Sequence, residues 1–496
     1  MNGARSRHLR ALSAALACGM LTTACFGDGD GDGFERLDVA MAFQPVKQMS
    51  PFSDDAFLLS KLGVAEPLTR LNEDGEVEPL LATSWEQVDE TAWELTLRED
   101  VTFHDGTELR AKDVAAAINY AADASPKPRA LAGVDVEAEA SDGHAVTIST
   151  GDEDPIMPQR LSTPELAILA PDAYADDPGT PDPAGAATGP FELAELSGSA
   201  ARLEAYPDYW DGRPQAAGVD VSFVEDAASR VGGLRTGEID IADAIPIAQA
   251  DTLDDGQLLE IPIPRTVGML LNNTSDVFDD PALRATAAAA VDSDPVVAGV
   301  YEGRADPIDG LFGPVSDWIE DRPTVEPESE PADVDGESIT LATYDDRPEL
   351  PEVASVVAED LRAAGFDVDV VVRSFAAMES DLMEGAFDAV IGTRSYLIET
   401  NDPVGYLASD WSCEGSYNLA LFCEDRIDDA IANAADQTDV DDRTQAAVEI
   451  EAEILATNSF VPLAGEHARI GVANDVTGVA EDPVERVIVT AETHVP

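Results

Sequence analysis

Apolar and polar residues alternate from Thr91 to Leu97, with Trp93, Leu95 and Leu97 on one face and Glu94 and Thr96 on the other, which predicts a half-buried strand. The apolar run Val101 to Phe103 predicts a second strand. His104-Asp105-Gly106-Thr107 then supplies a tight turn in which glycine takes the positive φ that other residues resist. Val114, Ala117, Ile118 and Ala121 follow at helical spacing. Farther on, Ile339 to Ala342 reads as a strand, and Val353, Val356, Val357 and Leu361 as one helix face ended by Gly365. Phe366 to Val372 reads as a second strand, Phe375 to Glu384 as a second helix and Phe387 to Gly392 as a third strand. This β-α-β-α-β order predicts a parallel sheet with right-handed crossovers. Ligands of open α/β sheets bind outside the carboxyl ends of the strands. The loop leaving the third strand, Thr393 to Tyr406, is therefore the first place to look for one.

The remaining pattern supplies the frame. A strand begins at Leu37 (LDVAMAF), and Gln44 to Asp55 forms a Pro- and Ser-containing loop. A weak strand pair, Val134–Ala138 and Ala145–Ser149, surrounds the turn Ser141-Asp142-Gly143-His144. Prolines and glycines from Pro171 to Gly189 mark a boundary. An alanine-rich helix with acids at its start follows Leu271-Asn272-Asn273, and residues 321–336 read as a polar surface linker rich in proline. Ala430 to Leu455 reads as a helical pair and Val461-Pro462-Leu463 as a returning strand. With no repeat of 20–50 residues in view, a solenoid is not expected.

At 496 residues the chain exceeds one ordinary core, so two or three lobes are expected. Its formal charge of -70 repels nucleic acid and anionic lipid surfaces. Lysine occurs only at Lys47, Lys61, Lys112 and Lys127. So much acid reads as a solvated surface suited to high salt, with an acidic pocket for cationic ligands as the alternative.

Arg5, Arg7, His8 and Arg10 precede an apolar run, Ala11 to Leu21, too short to span a membrane, and residues 1–24 read as a signal segment. Leu21-Thr22-Thr23-Ala24-Cys25 resembles a lipoprotein signal in which Cys25 carries the lipid, with simple secretion as the alternative. Residues 26–35 read as a flexible tether. They copy the opening of an EF-hand loop, but Val39 stands where a calcium loop needs glutamate, so no metal is expected there. In an exported chain Cys413 and Cys423 are expected to form a disulfide, a metal pair being the alternative.

The stretch Glu78 to Ala121 resembles the signature region of the family 5 extracellular solute-binding proteins. Pro79, Leu81, Ala82, Ser84, Trp85, Leu97, Arg98, Val101, Phe103 to Thr107, Leu109, Ala111, Asp113 and Val114 match the family pattern, while Arg110 departs from the threonine or asparagine that usually caps the helix. Thr188-Gly189-Pro190-Phe191, Leu203 to Pro214 and Val219 to Asp243 resemble further family motifs, and Trp411 to Cys423 resembles the disulfide loop of its dipeptide binders. The resemblance implies an α/β, two-lobed, periplasmic-binding-protein-like (type II) architecture with an extra subdomain in the first lobe. Its parts would be 36–50, 183–263 and 468–496 for lobe I, 51–182 for the subdomain and 264–467 for lobe II.

It also implies a lipid-anchored, extracytoplasmic, monomeric protein that hands a peptide or dipeptide to the permease subunits of an ABC transporter. A nickel chelate or other cationic solute is the alternative, and a secreted hydrolase a remote one. In the family's peptide binders an acid four residues before the proline of a D-P or E-P pair meets the ligand's ammonium group, and counting back from Pro403 gives Glu399. Arg394 and Tyr396 lead into the same loop and suit a carboxylate and a ring or apolar group; Asp402, Tyr406 and Trp411 complete the candidates, with Arg347 a further carboxylate partner. No cofactor is expected. The histidines show no metal or triad spacing, and neither G-x-S-x-G nor H-E-x-x-H occurs.

Overall fold

The computed structural model describes residues 34–72, 75–397 and 402–496. The readings for the signal segment, Cys25 and Glu399 lie outside them. A ten-stranded sheet runs in the spatial order Asp367–Arg373, Ser338–Tyr344, Ala389–Ser395, Leu258–Leu271, Phe460–Val472, Ile241–Ala242, Leu37–Met41, Gly218–Phe223, Ala200–Ala205, Phe191–Leu196. At one end the first three strands are parallel, and the helices Leu350–Ala364 and Phe375–Met383 connect them, as the alternating pattern predicts. The first of these helices buries Val353, Val357 and Leu361 and stops at Gly365, whose φ of 112° a side chain would strain. At the other end Leu37–Met41 lies parallel to both Gly218–Phe223 and Ile241–Ala242.

Two long antiparallel strands, Leu258–Leu271 and Phe460–Val472, join these halves. The former pairs with Ala389–Ser395 and the latter with Ile241–Ala242, so one hydrogen-bonded sheet continues from end to end. Their mutual register slips between Pro262 and Thr266 and again between Val267 and Gly268. Pro262 and Pro264 have no N–H to donate, which explains why the ladder fails there.

A separate four-stranded antiparallel sheet holds Ala82–Asp89, Ala92–Leu97, Ala145–Thr150 and Val136–Asp142, and the helix Ala111–Asp123 buries Val114, Ala117, Ile118 and Ala121. Its apolar core is continuous with that of Leu37–Met41 and Gly218–Phe223. A second core surrounds Val267, Leu341 and Val357, and a third surrounds Tyr406, Trp411 and Phe460.

Two expectations need correction. Val101 to Phe103 is no strand: the tight turn follows at once, and the run contributes the single bridge Thr102 to Glu108. The stretch 321–336 does not begin as a solvated linker. Arg322 donates from Nε and Nη2 to the fully buried Glu451 at 2.6 and 2.9 Å, pinning the segment to the helix Val440–Ala456.

Candidate functional site

The slip between the long strands sets Ile263, Pro264 and Arg265 against Glu466 alone. Bulges of this kind re-aim side chains, often beside functional sites. Arg265 Nε stands 3.7 Å from Glu466 Oε2. Other charges converge on the pair from both halves of the sheet. Lys61 ends the helix Ala56–Lys61, Asp243 follows Ile241–Ala242, Arg347 follows Ser338–Tyr344, and Glu485 comes from the C-terminal segment. Lys61 Nζ is 3.7 Å from Asp243, Arg347 Nη1 is 3.5 Å from Glu466, and Arg265 Nη2 is 3.2 Å from Glu485. Glu466 also accepts from the Tyr301 hydroxyl at 3.2 Å and the Thr393 hydroxyl at 2.9 Å.

Three cations thus face three anions, and every pairing among them is long. Ion pairs elsewhere in the molecule are tighter: Arg443 to Asp402 at 2.7 and 2.8 Å, Arg394 to Asp410 at 2.8 and 3.0 Å, and Arg160 to Asp154 at 2.6 Å. A tight two-pronged pair consumes its own hydrogen-bonding capacity, whereas a loose one leaves donors and lone pairs for something else. Arg265 Nε is buried without a hydrogen-bond partner among the described residues. Solvent still reaches the cluster, for the side chains keep exposures of 18% at Arg265, 19% at Lys61, 30% at Glu485 and 41% at Arg347. Burial pushes the Glu485 carboxyl up, but Arg265, Lys61 and Arg347 together outweigh it and hold the group below the usual carboxylate range. Burial likewise lowers Lys61, and Asp243 and Glu485 more than restore it. Glu485 and Lys61 therefore stay ionised at neutral pH. A cavity of about 520 Å³ opens beside the same strand, between Glu260, Pro262, Asp306, Pro314 and Pro483, within the range of small-ligand sites.

Of the residues singled out in the sequence, Arg347 stands in this cluster. Arg394 points instead to Asp410 and lies 4.3 Å over the Tyr417 ring. Tyr396 is buried, its hydroxyl 3.0 Å from that of Ser316. Asp402 accepts from the Gly405 amide at the start of the helix Pro403–Asp410 and holds buried Arg443. Trp411 is fully buried and donates to the buried Tyr406 hydroxyl at 3.1 Å. Cys413 and Cys423 are joined, with their Cα atoms 4.4 Å apart.

Sequence reading missed Lys61, Asp243, Arg265, Glu466 and Glu485. Two signals were there to find. Lys61 is one of four lysines in a chain with 99 acids. The string Ile261-Pro262-Ile263-Pro264-Arg265 also puts two prolines inside a strand pattern, which marks a bulge.

The family model for bacterial extracellular solute-binding proteins, family 5 Middle, matches residues 76–418. The nickel-binding protein NikA of Staphylococcus aureus is 25% identical over 412 residues, covering 80% of this chain and 82% of that one. NikA from Brucella suis, solved in complex with Fe(III)-EDTA, superposes with a TM-score of 0.80 at 22% identity, covering 93% of this chain and all of that one. DppA from Helicobacter pylori, solved in complex with the peptide STSA, gives a TM-score of 0.73 at 19% identity, covering 93% and 98%.

Proposed function

The chain belongs to family 5 of the bacterial extracellular solute-binding proteins, and we propose that it captures a peptide or dipeptide between the two halves of its sheet and delivers it to the permease of an ABC importer. The observation that carries this reading is the neutral, loosely paired cluster of Lys61, Arg265, Arg347, Asp243, Glu466 and Glu485 at the slip between the long strands. A zwitterion enters such a cluster without changing its net charge, and each charged end finds partners not already committed. Arg347 meets the ligand's carboxylate and Glu399 its ammonium group. Arg394, Tyr396, Asp402, Tyr406 and Trp411, paired or packed within the protein, support the site from behind. Closure is a population shift driven by ligand contacts to both halves.

In this reading lobe I comprises 36–50, 183–263 and 468–496, the subdomain 51–182 and lobe II 264–467. Residues 1–24 are removed, Cys25 carries the lipid, residues 25–35 tether a monomer to the outer face of the cell membrane, and the Cys413–Cys423 disulfide persists in that oxidising setting.

Native mass spectrometry of the purified protein, followed by thermal shifts against a peptide library, tests the reading. A co-purified peptide and a peptide-dependent shift are expected. A nickel chelate is the second reading, favoured by the similarity to the NikA proteins. Nickel–chelator mixtures that shift the melting temperature where peptides do not would overturn the first reading in favour of the second.

A further inference from the structure

Glu485 is built into the cluster in an unusual way. Its backbone has φ 57°, a left-handed conformation uncommon for a residue with a side chain, and such strain persists only where the surroundings impose it. The flanking chain does so. The Asp482 carboxylate accepts from the amides of Val484, Arg486 and Val487 at 3.0, 2.7 and 2.8 Å. Arg486 is buried and donates to the Ser162 carbonyl at 2.7 Å, and the amides of Ile488 and Val489 donate to the Lys61 carbonyl at 3.1 and 2.9 Å. Held on both sides, residue 485 directs its carboxylate to Arg265, with the charges of Lys61 and Arg347 acting on it from farther off. Within the described residues it accepts one hydrogen bond there, from Arg265 Nη2.

We propose that Glu485 is an internal counter-anion, holding among these three cations the position that a ligand's carboxylate takes by exchange. The inference rests on the reading that this cleft receives the solute, and it names the group by which the solute is admitted. The surroundings that stabilise the Glu485 carboxylate stabilise any carboxylate in the same place. A ligand that lacks an anionic end cannot displace the side chain and is excluded.

The test is chemical rescue in the full chain. Glu485→Gly vacates the position and relieves the backbone, and Glu485→Ala provides a second truncation should the first fail to fold. Melting temperatures are compared in sodium acetate and in sodium chloride of equal concentration. Acetate should raise the melting temperature of the truncated variants by about 2 °C more than chloride does. The wild type and Glu485→Gln, whose side chains fill the position, should respond alike to both salts. Equal responses to both salts in the truncated variants, or acetate selectivity already present in the wild type, would overturn the proposal. Acetate rescue is independent of which solute co-purifies, so failure here and failure of the peptide reading are separable results.

Discussion

Glu66 is buried and accepts from Thr188, Tyr209 and Trp210, with no cation against it among the described residues, and burial first of all pushes its carboxyl up to about 7. His104 is buried with Nε2 2.9 Å from the Gly189 carbonyl, and burial pulls it down to about 4. The signs are opposite. The folded protein holds the Glu66 proton more tightly than the unfolded chain, so its contribution to stability rises as pH falls from 8 toward 4.5. His104 resists protonation when folded, so its contribution falls as pH drops from 6.5 toward 4. Urea unfolding should therefore show stability rising between pH 8 and 6.5 in the wild type but not in Glu66→Gln, with acid loss setting in earlier in the variant. A second contrast separates site from scaffold. Arg347→Ala should weaken peptide binding by about tenfold in calorimetric titration with little change in melting. Arg443→Ala strands Asp402 in the core and should cost about 3–5 kcal/mol in denaturant unfolding. The place of Arg347 in the charge cluster was legible because it follows the carboxyl end of a predicted strand. Arg394 has the same credential, but its partner Asp410 lies a helix away, and no local pattern reveals a pairing across that distance.

Secondary elements were legible where periodicity and punctuation agreed. The helix ending at Gly365 and the three parallel strands around it came from apolar spacing plus one glycine. The long strand Leu258–Leu271 did not, because Pro262 and Pro264 interrupt the alternation that would announce it, and its pairing partner lies about 200 residues away in sequence. Packing along that strand is tight. A Cβ on Gly268 would lie 2.1 Å from the Phe460 ring, so Gly268→Ala should destabilise by about 1–3 kcal/mol, read as a lowered urea midpoint. The Cys413–Cys423 link closes a short loop before the helix Asp425–Ala435, and replacing both cysteines with serine should cost about 2–3 kcal/mol.

For the whole molecule, charge dominates. A formal -70 makes the folded form repel itself, so melting temperature should climb from low to molar salt; a flat profile would remove self-repulsion from the account. Composition carried that expectation unaided, whereas the cleft could not be read from it, since its six charges come from six separate parts of the chain and cancel. The unbroken sheet has one more consequence. A backbone ladder shared by both halves cannot be parted when they move, so bending concentrates where the ladder is already interrupted, from Pro262 to Thr266. Amides at Ile263 and Arg265 should then trade their protons with heavy water far faster than those at Met269 to Leu271, giving the mobility of the whole a readable address a few residues long.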